Sequence, residues 1–223
     1  ANATAEKLNE LILASQDLLK KHPINKKRID NGKDPANSIW PWSPGYHPQM
    51  KRLDELYPIK SGAVISAVDL IRGIGVYAGL EVINVEGATG LYDTNYEGKA
   101  QAALNALKEK DFVYLHIEAS DEAGHEGDVP LKIKTIEYLD ARIVKTIYEE
   151  TAKMDESVVI AVLPDHPTPC EIRTHTRDAV PFLIYHRDIL PDSVTTYNEM
   201  AAKNGSFGML HDKEFIQHLF SIK

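Results

Sequence analysis

The sequence predicts an α/β domain with a mostly parallel sheet flanked by helices. Short apolar runs rich in β-branched residues alternate along the chain with longer segments that carry apolar residues at helical spacing. The clearest helical pattern, 130–153, repeats Ile133, Ile136, Leu139, Ile143, Val144 and Ile147. Two of the strand-like runs lead directly into clusters of Asp and His, where open α/β sheets bind their ligands.

Taken in order, residues 5–21 place Leu8, Leu11, Ile12, Leu18 and Leu19 between charged residues, which predicts one helix. Over 22–58 the periodicity fades. Prolines at 23, 35, 41, 44, 48 and 58 punctuate that stretch, and Trp40 and Trp42 lie at its centre. It reads as a linker that packs against something, leading from one module (1–45) into another (46–223). Strand and helix then alternate: strand 63–66, helix 68–80, strand 81–85, loop 87–95, helix 96–108, and a buried strand 111–117 ending in a polar loop. Helix 130–153, strands 157–163 and 181–185 and a closing helix 211–222 complete the series. The chain opens inside an amphipathic pattern, so it is expected to be part of a longer polypeptide.

The totals narrow the function classes. A net charge of -8 argues against a binder that grips nucleic-acid phosphates by bulk positive charge, though a local basic pocket for a small phosphorylated substrate is compatible with it. The single cysteine, Cys170, allows no internal disulfide framework and fits a reducing, cytoplasmic setting. No apolar run approaches the roughly 18 residues of a membrane span, and the amino terminus carries no signal-peptide pattern.

The chemistry sits after two strands. Run 111–117 leads into Glu118-Ala-Ser-Asp121-Glu-Ala-Gly-His125, and run 157–163 leads into Pro164-Asp165-His166-Pro167, with His175 further on between Thr174 and Thr176. Carboxylate oxygens and imidazole nitrogens without thiolates suit Zn²⁺ or Mn²⁺. The spacing Asp121-x-x-x-His125 puts both groups on one side of a tight turn or first helical turn. The adjacent pair Asp165-His166 points two ligands in different directions, which suits two ions roughly 3.5–4 Å apart. A single Asp-His pair in a loop is usually only solvated; three such clusters are harder to explain that way. Gly73, Gly75 and Gly79 lack the dinucleotide spacing and read as helix-packing glycines. Cys170 has no His-Asn pair to make it a catalytic thiol.

Together these motifs resemble the alkaline phosphatase superfamily, and within it the archaeal-type cofactor-independent phosphoglycerate mutases. Pro164-Asp-His-Pro-Thr-Pro169, Arg173-Thr-His-Thr176, Pro35-Ala-Asn37, Ile65-Ser-Ala-Val-Asp69, Gly87-Ala-Thr-Gly90, Asp93-Thr-Asn-Tyr96 and Val180-Pro-Phe182 extend the match over nearly the whole chain. The resemblance implies part of an alkaline-phosphatase-like core, with 1–45 as the tail of an inserted smaller domain. It implies one metal on Asp121, His125 and His175 and a second on Asp165 and His166, the ions being Mn, Zn or possibly Mg. The second site would also need an aspartate and a nucleophilic serine from an amino-terminal part of the same polypeptide. One ion is therefore expected in this chain and two in the full-length enzyme. The implied reaction interconverts 3- and 2-phosphoglycerate through a phosphoserine; homoserine phosphorylation, phosphatase activity and an inactive metal-binding fragment are the alternatives. Arg72 and Lys99, each near a loop at the edge of the core, are candidates to grip the substrate's charged groups, against the reading that both lie on solvated helix faces.

Overall fold

The computed structural model describes residues 2–41 and 45–222, so Trp42 and Pro44 of the proline-rich stretch lie outside the described residues. The chain divides into two compact units, 1–49 and 50–223.

The first unit holds α1 (Asn2–Lys21) and α2 (Pro23–Asp30). The second helix falls where periodicity had faded, and its start is set by local chemistry. Pro23 occupies the first turn, where a missing N–H costs nothing, and His22 Nδ1 accepts the Ile24 N–H at 3.3 Å. Asn25 is buried and pins the unit. Its amide donates to the Leu19 and Ala36 carbonyls, both at 2.8 Å, and accepts the Ala36 N–H at 3.0 Å. The expectation that both tryptophans pack is corrected for Trp40, which is 77% exposed. Its neighbourhood is held by polar bonds instead, the Ile39 N–H reaching Ser15 Oγ at 3.0 Å.

The second unit runs α3 (Leu53–Leu56), β1 (Gly62–Ile65), α4 (Asp69–Tyr77), β2 (Glu81–Val82), α5 (Tyr96–Leu107), β3 (Phe112–Leu115), α6 (Ala119–Glu126) and α7 (Val129–Tyr138). A π-helical stretch, Leu139–Val144, leads into α8 (Lys145–Thr151), followed by β4 (Ile160–Val162), β5 (Leu183–Tyr185), α9 (Glu199–Ala202) and α10 (Glu214–Ser221). One sheet is parallel throughout, in the order β2-β1-β3; β4 and β5 form an antiparallel pair. The α/β class with parallel strands flanked by helices stands as expected. Among the described residues, no helix is long and apolar enough to cross a membrane.

Strand β1 is buried along its whole length. Gly75 lets α4 lie against it, since a Cβ there would come within 2.5 Å of Val64 Cγ1. Gly79, at φ +83°, ends that helix, and the Leu80 N–H closes the turn on the Gly75 carbonyl at 2.8 Å. Val64, Ala78 and Leu80 form one core cluster, and Tyr96, Ala100, Ala119 and Ile143 another. Each fully buried large apolar side chain contributes about 1.5–3 kcal/mol relative to exposure.

Three expectations change. Run 111–117 is half-buried rather than buried, with Tyr114 38% exposed, because β3 is an edge of its sheet. The polar loop after it is the helix α6. The apolar stripe of 130–153 does not face the core throughout: Ile133 and Ile136 are 55% and 51% exposed, whereas Leu139, Ile143 and Ile147 join the core. The π-helical stretch between the two halves is the reason, because its wider turn rotates later side chains relative to earlier ones. It also delivers Arg142 to Glu97, in a two-pronged ion pair at 2.6 and 2.7 Å, over the rings of Tyr96 and Tyr138.

Candidate metal centre

The polar clusters gather past the carboxyl ends of the strands. Helix α6 starts soon after β3, with Ala119 in the core and Asp121 in its first turn. One turn later His125 lies on the same face, its Nε2 3.2 Å from Asp121 Oδ2. Gly124 lets this helix rest directly on the loop after β4. A Cβ at that position would collide with the Thr168 carbonyl oxygen and stand 2.9 Å from Lys132 Nζ.

The loop after β4 folds back on itself. The Pro169 carbonyl accepts the N–H groups of Ile172 and Arg173 at 3.1 and 2.8 Å, and the Pro167 carbonyl accepts that of Thr176 at 3.1 Å. Arg173 turns the chain with φ 58°, unusual for a residue with a side chain. This reversal stacks the His175 ring on that of His166, with centroids 3.6 Å apart.

Three groups of metal-ligand type meet as a result. His125 Nε2 lies 3.1 Å from His175 Nε2, and His175 Nε2 lies 3.5 Å from Asp121 Oδ1. One ligand atom each from Asp121, His125 and His175 falls within 4.8 Å of the others. His125 Nδ1 is 3.0 Å from the Arg173 carbonyl, which can only accept. The ring proton therefore sits on Nδ1, and the Nε2 lone pair faces the cluster. Asp121 and His125 are half-buried and His175 is exposed, so the cluster is open to solutes. One carboxylate and two imidazoles, converging with the His125 Nε2 lone pair turned inward, fit a divalent ion of the Zn²⁺ or Mn²⁺ kind. Asp165 and His166 stand beside it: His166 Nε2 is 3.4 Å from Asp165 Oδ2, and His166 Nδ1 is 3.8 Å from Asp121 Oδ1.

The other candidates separate. Arg72 is engaged at the surface, donating to Asn84 Oδ1 at 2.6 Å and Asp69 Oδ1 at 3.2 Å. Lys99 is on no solvated face; it is 0% exposed, and its Nζ donates to the Thr89 carbonyl at 3.3 Å. Burial pushes it down to about 8, against the pull of the Glu118 carboxylate. Cys170 packs against α6 at the Ala123 carbonyl.

A part-buried polar chain beside the cluster escaped sequence reasoning. His116 Nδ1 lies 3.2 Å from Ser66 Oγ, and its Nε2 lies 3.2 Å from Glu118 Oε2. Burial lowers His116, so the neutral ring donates from Nε2 to the carboxylate and accepts the Ser66 hydroxyl on Nδ1. Ser66 Oγ also accepts the Val68 N–H at 3.0 Å. Burial, then the nearby Asp121, Asp165 and Glu122 carboxylates, raise Glu118. A histidine inside a strand-like run was the one available signal. Thr168, likewise unremarked in the sequence, donates its hydroxyl to Asp121 Oδ1.

Comparison with known proteins agrees with this geometry. A family model described as the Metalloenzyme superfamily matches residues 2–221. A 2,3-bisphosphoglycerate-independent phosphoglycerate mutase of Methanosarcina acetivorans is 54% identical over 95% of this chain and 53% of its own length. A solved protein from Pyrococcus horikoshii, 34% identical, matches with a TM-score of 0.80 over 98% of this chain and 57% of its own. The cofactor-independent phosphoglycerate mutase of Thermoplasma acidophilum, 26% identical, gives 0.54 over 92% and 48%. The chain spans about half the length of the curated relatives it matches. With 2–221 matched and ligand types converging past the strands, the chain belongs to the metalloenzyme superfamily.

Proposed function

We propose that Asp121, His125 and His175 hold one divalent ion and that Asp165 and His166 supply two ligands of a second, in a polypeptide that interconverts 3- and 2-phosphoglycerate. The observation that carries the reading is the meeting of a carboxylate and two imidazole nitrogens, with His125 Nδ1 already committed to the Arg173 carbonyl. The relatives' printed name supports the substrate. When bound, the ions supply charge neutralisation for a phosphoryl group in transfer.

The chain's own residues hold and orient. Arg173 fixes the His125 tautomer, and Gly124 lets α6 bring Asp121 and His125 to the loop that carries His166 and His175. Lys99 adds a buried positive charge beside Glu118 for an anionic group of the substrate, with Arg72 a second, outer cation. Ser66 is committed to His116 and the Val68 N–H, so the nucleophile is read as a serine elsewhere in the polypeptide, together with an aspartate that completes the second site. Residues 1–45 are read as the tail of an inserted domain and 46–223 as the carboxy-terminal part of the core, acting in the cytoplasm.

The test is interconversion of 3-phosphoglycerate with added Mn²⁺, run on this chain and on the full polypeptide side by side. Turnover by the full polypeptide alone is expected. Equal turnover by both would place the nucleophile within these 223 residues. A full polypeptide that ignores phosphoglycerate but phosphorylates homoserine would overturn the substrate.

A further inference from the structure

The Thr168 hydroxyl touches both halves of the centre. Its Oγ1 donates to Asp121 Oδ1 and lies 3.3 Å from His166 Nδ1. A threonine hydroxyl has one hydrogen and two lone pairs. The hydrogen is committed to the Asp121 carboxylate, so toward His166 the oxygen can only accept. His166 must then carry its proton on Nδ1, which leaves the Nε2 lone pair on the side of Asp165 Oδ2, 3.4 Å away. On the other side, engaging Asp121 Oδ1 turns Oδ2 toward His125 Nε2 at 3.2 Å.

The hydroxyl is also held in place. Thr168 is 4% exposed, Lys132 Nζ grips its carbonyl at 2.5 Å, and the missing side chain of Gly124 makes room for it. One side chain thus orients a carboxylate of the three-ligand cluster and an imidazole of the neighbouring pair.

We propose that Thr168 is a positioning residue that couples the two halves of the metal centre: it sets the His166 tautomer and the Asp121 carboxylate orientation together. The coupling rests on the ligand assignment proposed above; the tautomer does not. Hydrogen bonds to metal ligands of this kind typically carry 10- to 100-fold in affinity.

The experiment uses the full polypeptide with ¹⁵N-labelled histidine, and Thr168→Val and Thr168→Ser variants, with the His166 signal assigned from His166→Gln. In chelator-treated protein, long-range ¹H–¹⁵N spectra are expected to show His166 protonated on Nδ1 in the wild type and in Thr168→Ser. In Thr168→Val the Nε2-protonated form should appear. A wild-type His166 already protonated on Nε2 overturns the proposal whatever the variants do, so a Thr168→Val protein that fails to fold does not shield it. Calorimetric titration with Mn²⁺ is expected to show binding weakened about 10- to 100-fold in Thr168→Val and within about 3-fold of wild type in Thr168→Ser. Equal Mn²⁺ affinity in wild type and Thr168→Val overturns the coupling. Absence of Mn²⁺ binding in the wild type, with the tautomer still shifting in Thr168→Val, would overturn the ligand assignment and support Thr168's control of His166.

Discussion

The Asp121–His125–His175 cluster and the Ser66–His116–Glu118 chain lie side by side past the ends of the strands, yet their polar atoms are arranged differently. In the chain each donor meets an acceptor: Ser66 to His116, His116 to Glu118, each at 3.2 Å. In the cluster two imidazole nitrogens stand 3.1 Å apart beside a carboxylate, with the His125 Nε2 lone pair turned inward. Ser66 is buried and His116 largely enclosed, so their polar atoms find partners within the fold, with the half-buried Glu118 closing the chain. The cluster is open to solutes on its His175 side, and on the proposed assignment a cation is the partner that engages all three groups together. On that reading the difference separates groups that brace the fold from groups available to a ligand.

The sharpest way to break the comparison is to remove the converging imidazoles. Replacing His125 or His175 by Ala is expected to weaken Mn²⁺ or Zn²⁺ binding by more than about 100-fold, beyond what loss of an outer hydrogen bond costs. Elemental analysis and calorimetric titration read it out. Binding that survives the double replacement would show that the cluster is not the site.

A smaller effect is expected from separating the two loops while keeping every ligand. Gly124→Val places atoms against the Thr168 carbonyl and Lys132 Nζ. It should lower stability by about 1–3 kcal/mol, as overpacking does, and weaken cation binding along with it. Urea unfolding and titration of one sample measure both. Unchanged affinity in a destabilised protein would mean that α6 and the loop need not touch for the ligands to meet.

A change of similar size, of opposite sign, tests the buried side. Lys99 stands at about 8 in the folded chain against an ordinary 10.5, so between those values the unfolded chain binds more protons and stability rises with pH. Below that window the cost of the buried charge is present in full. Lys99→Met is therefore expected to stabilise the protein at pH 7 by roughly 1–3 kcal/mol, with the gain shrinking toward pH 10. Anionic substrates should bind it more weakly. Equal unfolding free energies for variant and wild type at pH 7 would show that the Lys99 charge is not penalised by burial.

Much of the architecture was legible because it is local. The helix 96–108 and the strand 63–66 emerged within a residue or so of α5 and β1, since apolar spacing and boundary residues such as Asn95, which caps α5, act over a few positions. The exposed Ile133 and Ile136 were misread for a physical reason: the π-helical stretch changes the helix period partway, and no composition announces that. Helix α2 was missed because Pro23 reads as a breaker and apolar periodicity fades there, whereas Pro23 sits in a permissive first turn and Asn25 clamps the helix from a buried position.

By itself the sequence determined the presence of carboxylates and imidazoles of ligand type, their placement after strands and the helical pairing of Asp121 with His125, all properties of residue type and short spacing. Only the tertiary structure decided which atoms converge. His125 meets His175 from 50 positions away, Thr168 reaches Asp121 from 47, and His116 finds Ser66 from 50. Ring tautomers, the burial of Lys99 and the notch at Gly124 follow from those contacts. Each depends on groups brought together by packing across the sheet, and no spacing along the chain encodes them.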